Sequence, residues 1–373
     1  MKLLEVENLS VSFSTPDGVV QAVRDVSFEV ERGSTLGIVG ESGSGKSVST
    51  QTIVGLTQGA KISGRAIFEG KDLLAMTPDQ LRSIRGPKIS MIFQDPLSSL
   101  HPYYRVGWQI VEMIRAHESM SKSQARSRAI DLLGLVGIPQ PQRRVDEYPH
   151  QFSGGMRQRA MIALALALSP ALIIADEPTT ALDVTVQAQI IDLLKRLQNE
   201  FGTAIVMITH DLGVIADMAH EVMIMYAGRA MEKAERRTAY YEPHHPYTVG
   251  LLRSLPGLGD EGERLVPIQG QPPSLINPPP GCPFAPRCRF AMAKCRSEEP
   301  PLAPVGRPSS AGHRSACWLP ADLVGTSDAV NLRRHQVAGT APPDEVTPSR
   351  AGLQASAVFG APGEPGGTGS EAG

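Results

Sequence analysis

Gly40-Glu41-Ser42-Gly43-Ser44-Gly45-Lys46-Ser47 matches the pattern G-x-x-x-x-G-K-[ST] and directly follows the apolar stretch Leu36-Gly37-Ile38-Val39. That context predicts strand, loop and helix, the order the motif requires for holding phosphate. Gly40, Gly43 and Gly45, with Ser42 among them, let the backbone curl so that successive N–H groups point inward at phosphate oxygens. The helix expected over Gly45 to Leu56 adds its positive dipole end. Lys46 is expected to reach the β- and γ-phosphates, and the Ser47 hydroxyl to take one corner of an octahedral Mg²⁺ site. A second group of reactive residues follows the continuous apolar run Leu172-Ile173-Ile174-Ala175, the pattern of a parallel strand buried on both faces. Such a strand delivers Asp176 to the carboxyl edge of a sheet, where nucleotides bind. Asp176 is expected to hold Mg²⁺ through water, and Glu177 to polarise the attacking water as general base.

Together with Ser153-Gly154-Gly155 just upstream of that strand, these motifs make the sequence resemble the nucleotide-binding subunits of ATP-binding-cassette (ABC) transporters. The resemblance implies an ATPase that uses ATP and Mg²⁺, with Lys46, Glu177 and His210 as catalytic residues. Phe13 stands where an aromatic stacks on adenine. Gln94, in Phe93-Gln94-Asp95-Pro96, matches the Q-loop and joins Ser47 and Asp176 as an implied Mg²⁺ ligand. Phe152-Ser153-Gly154-Gly155-Met156 matches the signature, Ala181-Leu182-Asp183 the D-loop and His210 the switch histidine. Met156 departs from the glutamine of many members; the family's phosphate contacts come from the serine and second glycine, so little loss of activity is expected. Each residue has a plainer reading beside this one. Phe13 is equally a core aromatic, Gln94 a solvated loop residue, and His210, after Ile205-Val206-Met207-Ile208, a satisfied buried histidine.

In the family the signature faces the γ-phosphate held by a partner's phosphate loop, giving two ATPs sandwiched in a head-to-tail dimer. Each motif occurs once here and the chain has no internal repeat, so the second cassette is expected from another copy or a related subunit.

The fold class expected is α/β: a P-loop NTPase (RecA-like) core with an antiparallel β subdomain, an inserted helical subdomain and an irregular cysteine-containing C-terminal extension. Residues up to about Val39 alternate in strand fashion, most clearly from Ala22 to Val30. Strand signals vanish from Asp95 to Gln151, and helical periodicity covers Val106 to His117 and Lys122 to Val136. The ATPase domain is set at residues 1–255, with the helical subdomain at about 95–160. In the family that subdomain receives coupling helices from the membrane subunits, and Gln94 at its entrance would sense nucleotide.

Of 373 residues 41% are hydrophobic and the net charge is −2, which gives no bias toward nucleic acid. No run approaches the roughly 18–20 apolar residues that span a bilayer, and the N-terminus has no signal-peptide pattern. A cytosolic protein at the inner face of the cell membrane, peripheral to it, is expected.

Tyr241-Glu242-Pro243-His244-His245-Pro246-Tyr247-Thr248, expected to open a helix, and Gly281-Cys282-Pro283-Phe284-Ala285-Pro286-Arg287-Cys288 narrow the resemblance to the oligopeptide and dipeptide importer branch, which includes nickel importers. That branch implies a related second ATPase subunit, two integral membrane permease subunits and an extracytoplasmic peptide-binding protein. All four cysteines, Cys282, Cys288, Cys295 and Cys317, lie in the region set at 256–322. Disulfides fit a reducing cytosol poorly. The spacing C-x5-C-x6-C-x21-C lacks the short pairs of zinc sites. A 4Fe-4S cluster on these four thiolates, as in some relatives of the branch, is the expected occupant, with a zinc ion and unligated thiols as the alternatives. A metal centre would order a segment rich in proline and glycine whose apolar pattern builds no core of its own. Residues 323–373 read as disordered. Besides peptide import, two functions stand as alternatives: nickel or small-solute import by the same branch, and a soluble cassette ATPase acting on nucleic acid or the ribosome. Against the latter stands the absence of a second cassette or a long insertion.

Overall fold

The computed structural model describes residues 1–180, 182–254, 267–306 and 312–320. The expected disordered tail and the boundary near 255 lie outside them. The chain opens with β1 (Lys2–Thr15), β2 (Gly18–Glu31), β3 (Thr35–Val39), α1 (Lys46–Ile53), β4 (Ala60–Phe68), β5 (Lys71–Asp72), α2 (Pro78–Ile84) and β6 (Ile89–Ile92). The helices α3 (Pro96–Ser99), α4 (Val106–His117), α5 (Lys122–Leu135), α6 (Pro141–Arg144) and α7 (Gly154–Leu166) follow without an intervening strand. The core then resumes through β7 (Leu172–Asp176), α8 (Val184–Phe201), β8 (Ala204–Thr209), α9 (Leu212–Met218), β9 (Glu221–Tyr226), β10 (Arg229–Glu235), α10 (Arg236–Tyr241) and α11 (Pro246–Arg253). The extension adds α12 (Ala293–Ser297), β11 (Ala303–Pro304) and β12 (Arg314–Ser315).

One sheet is antiparallel, in the order β2-β1-β4-β5. The other runs β11-β12-β10-β9-β3-β8-β7-β6, and its five strands from β9 to β6 are parallel. Alternation along the parallel strands explains the layering, because successive side chains leave opposite faces. Ile173, Ala175, Ile205, Met207, Val222 and Ile224 enter one core with the helices. Leu172, Ile174, Ala204, Val206, Ile208, Met223 and Met225 enter a second core, shared with Leu4, Val6, Val11 and Phe28 of the antiparallel sheet. Both faces are therefore buried, which is why these strands read as unbroken apolar runs.

The helical subdomain forms where periodicity predicts it. α4 spans the predicted limits, and α5 ends one residue early, opened by a Ser121/Gln124 capping box. α1 is shorter than expected, beginning at Lys46 and ending at Ile53. α4 packs so closely on Val145 that a Cβ at Gly107 would lie 2.0 Å from its Cγ2.

The extension does not stand apart as a segment ordered by its own staple. β12 pairs with β10 through Glu232↔Ser315 and Lys233↔Arg314, lengthening the main sheet. Phe284, Ala285, Cys282, Cys295 and Ala316 are buried in the main core. The Glu299 carboxylate bridges Arg24 at 2.7 Å and Arg229 at 3.0 Å. At the seam lies Glu232, fully buried, which accepts from the His244 and His245 backbone N–H groups at 2.6 and 3.0 Å and faces His313 Nε2 at 2.7 Å. Against burial, His313 first and then the His244 N–H hold the carboxyl below its ordinary value.

His245 caps α11 by accepting the Tyr247 N–H at 3.0 Å, and burial pushes its pKa down from 6.5 to about 4. The unfolded chain therefore takes up a proton that the folded chain refuses between those values. Its contribution is present above pH 6.5 and lost as pH falls toward 4. Urea unfolding at pH 7 and pH 4.5 will show His245→Asn, which keeps a capping oxygen, losing less stability on acidification than the native chain, by roughly 2–3 kcal/mol.

Candidate active site

The carboxyl edge of the parallel sheet gathers most of the predicted residues. Gly40 and Gly45 are fixed by close approach: a Cβ would lie 2.1 Å from the Met225 carbonyl oxygen at Gly40 and 2.3 Å from that of Ala22 at Gly45. Gly43 and Gly45 have φ of 76° and 94°, where side chains are disfavoured. Ser42 and Gly43 are exposed at the mouth of the loop. Lys46 is buried, its Nζ donating to the carbonyls of Gly40 at 2.7 Å and Glu41 at 3.0 Å. Burial lowers its pKa, while Glu177, Asp176 and Glu41 pull the other way.

Ser47 Oγ donates to Asp176 Oδ1 at 2.8 Å, bringing together two of the three predicted Mg²⁺ ligands, from α1 and β7. Gln51 Nε2 reaches Asp176 Oδ2 at 3.4 Å. Burial raises the Asp176 carboxyl, against the Ser47 bond. These residues fit a phosphate chain with a divalent cation. Gly45 gives α1 no side-chain cap, so its first N–H groups remain for an anion. The Ser44 hydroxyl is buried without a hydrogen-bond partner among the described residues.

Glu177 is the centre of a second cluster. Gln94 Nε2 donates to its Oε2 at 2.9 Å, Thr180 Oγ1 donates to the same oxygen at 2.8 Å, and His210 Nδ1 lies 3.4 Å from Oε1. Gln94 therefore rests on Glu177 rather than on the Ser47–Asp176 pair. Glu177 adopts φ 48°, the left-handed region that non-glycine residues rarely occupy. Gln94 and His210 are exposed.

The remaining predicted residues lie elsewhere. Ser153 caps α7, accepting the Met156 N–H at 3.3 Å, and is exposed with Gly154. A Cβ at Gly155 would lie 2.9 Å from Val186 Cγ1, so the signature abuts the start of α8. Asp183 caps α8 through the Val186 N–H at 2.9 Å, and beside it Val184 is 84% exposed. Phe13, half-buried, pairs with Val20 and Ala60 and packs on the second core.

Thr180, Gln51 and Ser44 escaped sequence reasoning. Thr180 and Gln51 sit three and four residues beyond Glu177 and Ser47, a spacing that could have flagged them.

All four cysteines line one small apolar cavity with Phe284, Phe290 and Trp318. At about 10 Å³ it has room for roughly one water. Among the described residues no three His, Cys, Asp or Glu side chains form a group that could hold a metal ion, so neither the expected 4Fe-4S site nor the zinc alternative is assembled in this structure. Burial pushes the Cys288 thiol above its ordinary value, Cys282 up to about 11 and Cys317 up to about 12.

The chain matches the ABC transporter family over residues 23–180 and the oligopeptide/dipeptide transporter C-terminal region over 231–295. It is 51% identical over 321 residues to the oligopeptide transport ATP-binding protein OppD of Haemophilus influenzae, covering 86% of this chain and 98% of that one. It is 48% identical over 327 residues to the dipeptide transport ATP-binding protein DppD of Escherichia coli, covering 87% and 99%. Among solved structures, a dimeric ATP-binding cassette in a post-hydrolysis state with ADP and Pi superposes with a TM-score of 0.57 at 29% identity, covering 63% of this chain and 99% of that chain. Its site geometry and this extent of shared sequence place the chain in the ABC transporter ATPase family, among the oligopeptide and dipeptide transport ATP-binding proteins.

Proposed function

We propose that the protein hydrolyses ATP to energise import of oligopeptides or dipeptides across the cell membrane. The observation that carries the ATPase reading is the convergence of Gln94, Thr180 and His210 on Glu177, beside the Ser47–Asp176 pair and the buried Lys46. The peptide substrate rests on the relatives, whose names specify oligopeptide and dipeptide transport. Mg²⁺ bound here neutralises charge on the phosphates. Lys46 turns its ammonium from the loop carbonyls to the phosphates, and the N–H groups of Gly43 to Ser47 donate hydrogen bonds to the phosphate oxygens. Ser47 and Asp176 would hold the cation, and Gln94 would join them on leaving Glu177. Glu177 takes the proton of the attacking water, and His210 contacts the γ-phosphate. Phe13 supplies the adenine platform.

A second cassette completes the site. Ser153, Gly154, Asp183 and Val184 are exposed, as a surface that meets a partner's phosphate loop must be. A related subunit is the partner we favour. Tyr104 and Trp108, stacked at 4.2 Å and both more than 40% exposed, stand beside Tyr103 on the helical subdomain, a patch suited to permease coupling helices. No helix among the described residues is long and apolar enough to cross a membrane, consistent with peripheral attachment through such permeases at the cytoplasmic face. The external binding protein then acts only through those permeases. Residues 1–255 form the ATPase domain, with the helical insertion at about 95–160, followed by the extension to about 322.

We place the 4Fe-4S reading in the cysteine cavity. Four thiols on one apolar cavity are the donor set such a cluster uses, whereas the cavity volume requires its walls to part. Iron and acid-labile sulfide in chain purified without oxygen will be near four each per chain if the cluster is carried, and absent if the thiols are unligated packing residues.

Glu177→Gln will retain ATP binding while turnover falls by roughly 10²–10⁴, and gel filtration with ATP will show a trapped dimer. Turnover at the native rate would remove Glu177 from its role. Cells carrying this variant will lose uptake of a labelled tripeptide. Intact peptide uptake with lost labelled nickel uptake would move the assignment to a metal importer.

A further inference from the structure

Four atoms of Glu41 are held at once, and the hold on its carboxylate comes from the extension that follows the ATPase domain. Its carboxylate receives Arg287 Nη1, at 3.1 Å to Oε1 and 2.8 Å to Oε2. Its backbone N–H donates to the Tyr247 hydroxyl at 3.0 Å. Its carbonyl accepts from Lys46 Nζ at 3.0 Å. Glu41 is the second residue of the phosphate loop, so a side chain 246 positions away grips that loop one bond network from the lysine that meets the phosphates.

Arg287 is built for this grip. Its Nε and Nη2 donate to the carbonyls of Gln269 at 3.0 Å and Ile268 at 3.1 Å, which fixes the plane of the guanidinium and leaves Nη1 for Glu41 and the Tyr226 hydroxyl at 3.2 Å. The Arg287 side chain is 6% exposed in this pair. A planar fork tied down on its other nitrogens loses little freedom in holding the carboxylate, a task to which lysine is poorly matched. Phe284, from the same short loop, packs against Tyr226 and Tyr247 with ring centroids 5.4 and 5.3 Å apart, so the loop between Cys282 and Cys288 seats on both tyrosines. The arrangement also accounts for three sequence features that the phosphate chemistry leaves unused: the glutamate of the phosphate loop, the His245-Pro246-Tyr247 segment and the arginine beside Cys288.

We propose that Arg287, together with Tyr247, is a positioning residue for nucleotide binding, through which the cysteine-bearing extension holds Glu41 and sets the shape of the phosphate loop. The role rests on the nucleotide site described above and adds a contact outside it. Because the loop embraces ATP and ADP alike, the hold acts on binding more than on the chemical step.

Dissociation constants for ATP and ADP measured on the full chain test this, alongside kcat and KM and urea unfolding of the same samples. Arg287→Ala and Glu41→Gln should each weaken both nucleotides about tenfold, the scale of one charge-assisted hydrogen bond. The rise should appear in KM, with kcat at saturating ATP within about twofold. Combined, the two changes should weaken binding no more than either alone, since they break one contact. Arg287→Lys should recover part of the loss and Tyr247→Phe should reproduce a smaller one. Should Arg287→Ala fold poorly, Glu41→Gln and Arg287→Lys carry the test. Native affinity in Glu41→Gln and Arg287→Lys, with only unfolding affected, would reduce the contact to a brace and overturn the proposal, as would additive losses in the double variant. Failure of the unaltered chain to bind ATP would instead overturn the nucleotide-site reading itself.

Discussion

The in-register parallel pairing of β3, β8 and β7 is the constraint on which the site depends. Val39 lies opposite Thr209 and Asp176 opposite Ile208, so three strand ends finish at nearly one level. The Glu177 N–H continues the ladder by donating to the Ile208 carbonyl at 2.9 Å. From that shared level the chain departs in three ways: into the phosphate loop after β3, into the turn carrying Glu177 and Thr180 after β7, and toward His210 after β8. A slip of one residue in any pair would turn its apolar side chains to the wrong face of a sheet buried on both sides. The two cores that secure stability therefore also secure the relative heights of Lys46, Asp176, Glu177 and His210.

Within this frame Glu177 sits under tension. Its left-handed backbone is uncommon for a residue with a side chain and costs on the order of 1–3 kcal/mol. Three partners from three segments, Gln94 before the helical subdomain, Thr180 on its own turn and His210 after β8, hold the carboxylate. Because Gln94 leads directly into α3, a change in its hydrogen bonding has a short mechanical route to the helical layer, whose α4 and α5 are packed on α7 and so on the signature. Communication between chemistry and the subdomain needs no long pathway.

How much of this could be read from the chain differs by region, for physical reasons. The phosphate loop was legible because only glycine tolerates the approach of Met225 and Ala22 carbonyls at positions 40 and 45. β7 was legible because burial on both faces leaves no polar residue in it before Asp176 at its carboxyl end, and α4 because its apolar stripe repeats at the helical period. Gln51 and Thr180 were not legible, since a glutamine on a helix and a threonine in a turn have ordinary uses and acquire another only when Asp176 and Glu177 are brought beside them. The extension was misread in one respect. Its apolar residues, such as Phe284, Ala285 and Ala316, are too scattered to form a periodic pattern, and a staple was expected to substitute for a core. Instead they are buried on a core that the preceding domain had already built. Contacts between segments far apart in sequence leave no local signature.

The pairing of β12 with β10 has a consequence for how such a chain can be shortened. β10 forms a ladder on one side with β9, and among the described residues its other side pairs where Ser315 and Arg314 meet Glu232 and Lys233, with Ala316 donating to Met231 at 2.8 Å. Removing everything after α11 would leave that side of β10 as a bare strand edge, with the Glu232 carboxylate stripped of His313. An open edge is a template for other chains. The extension is in this sense the selvedge of the sheet, and a cassette cut free of it would retain the catalytic residues yet acquire a tendency to join its neighbours edge to edge.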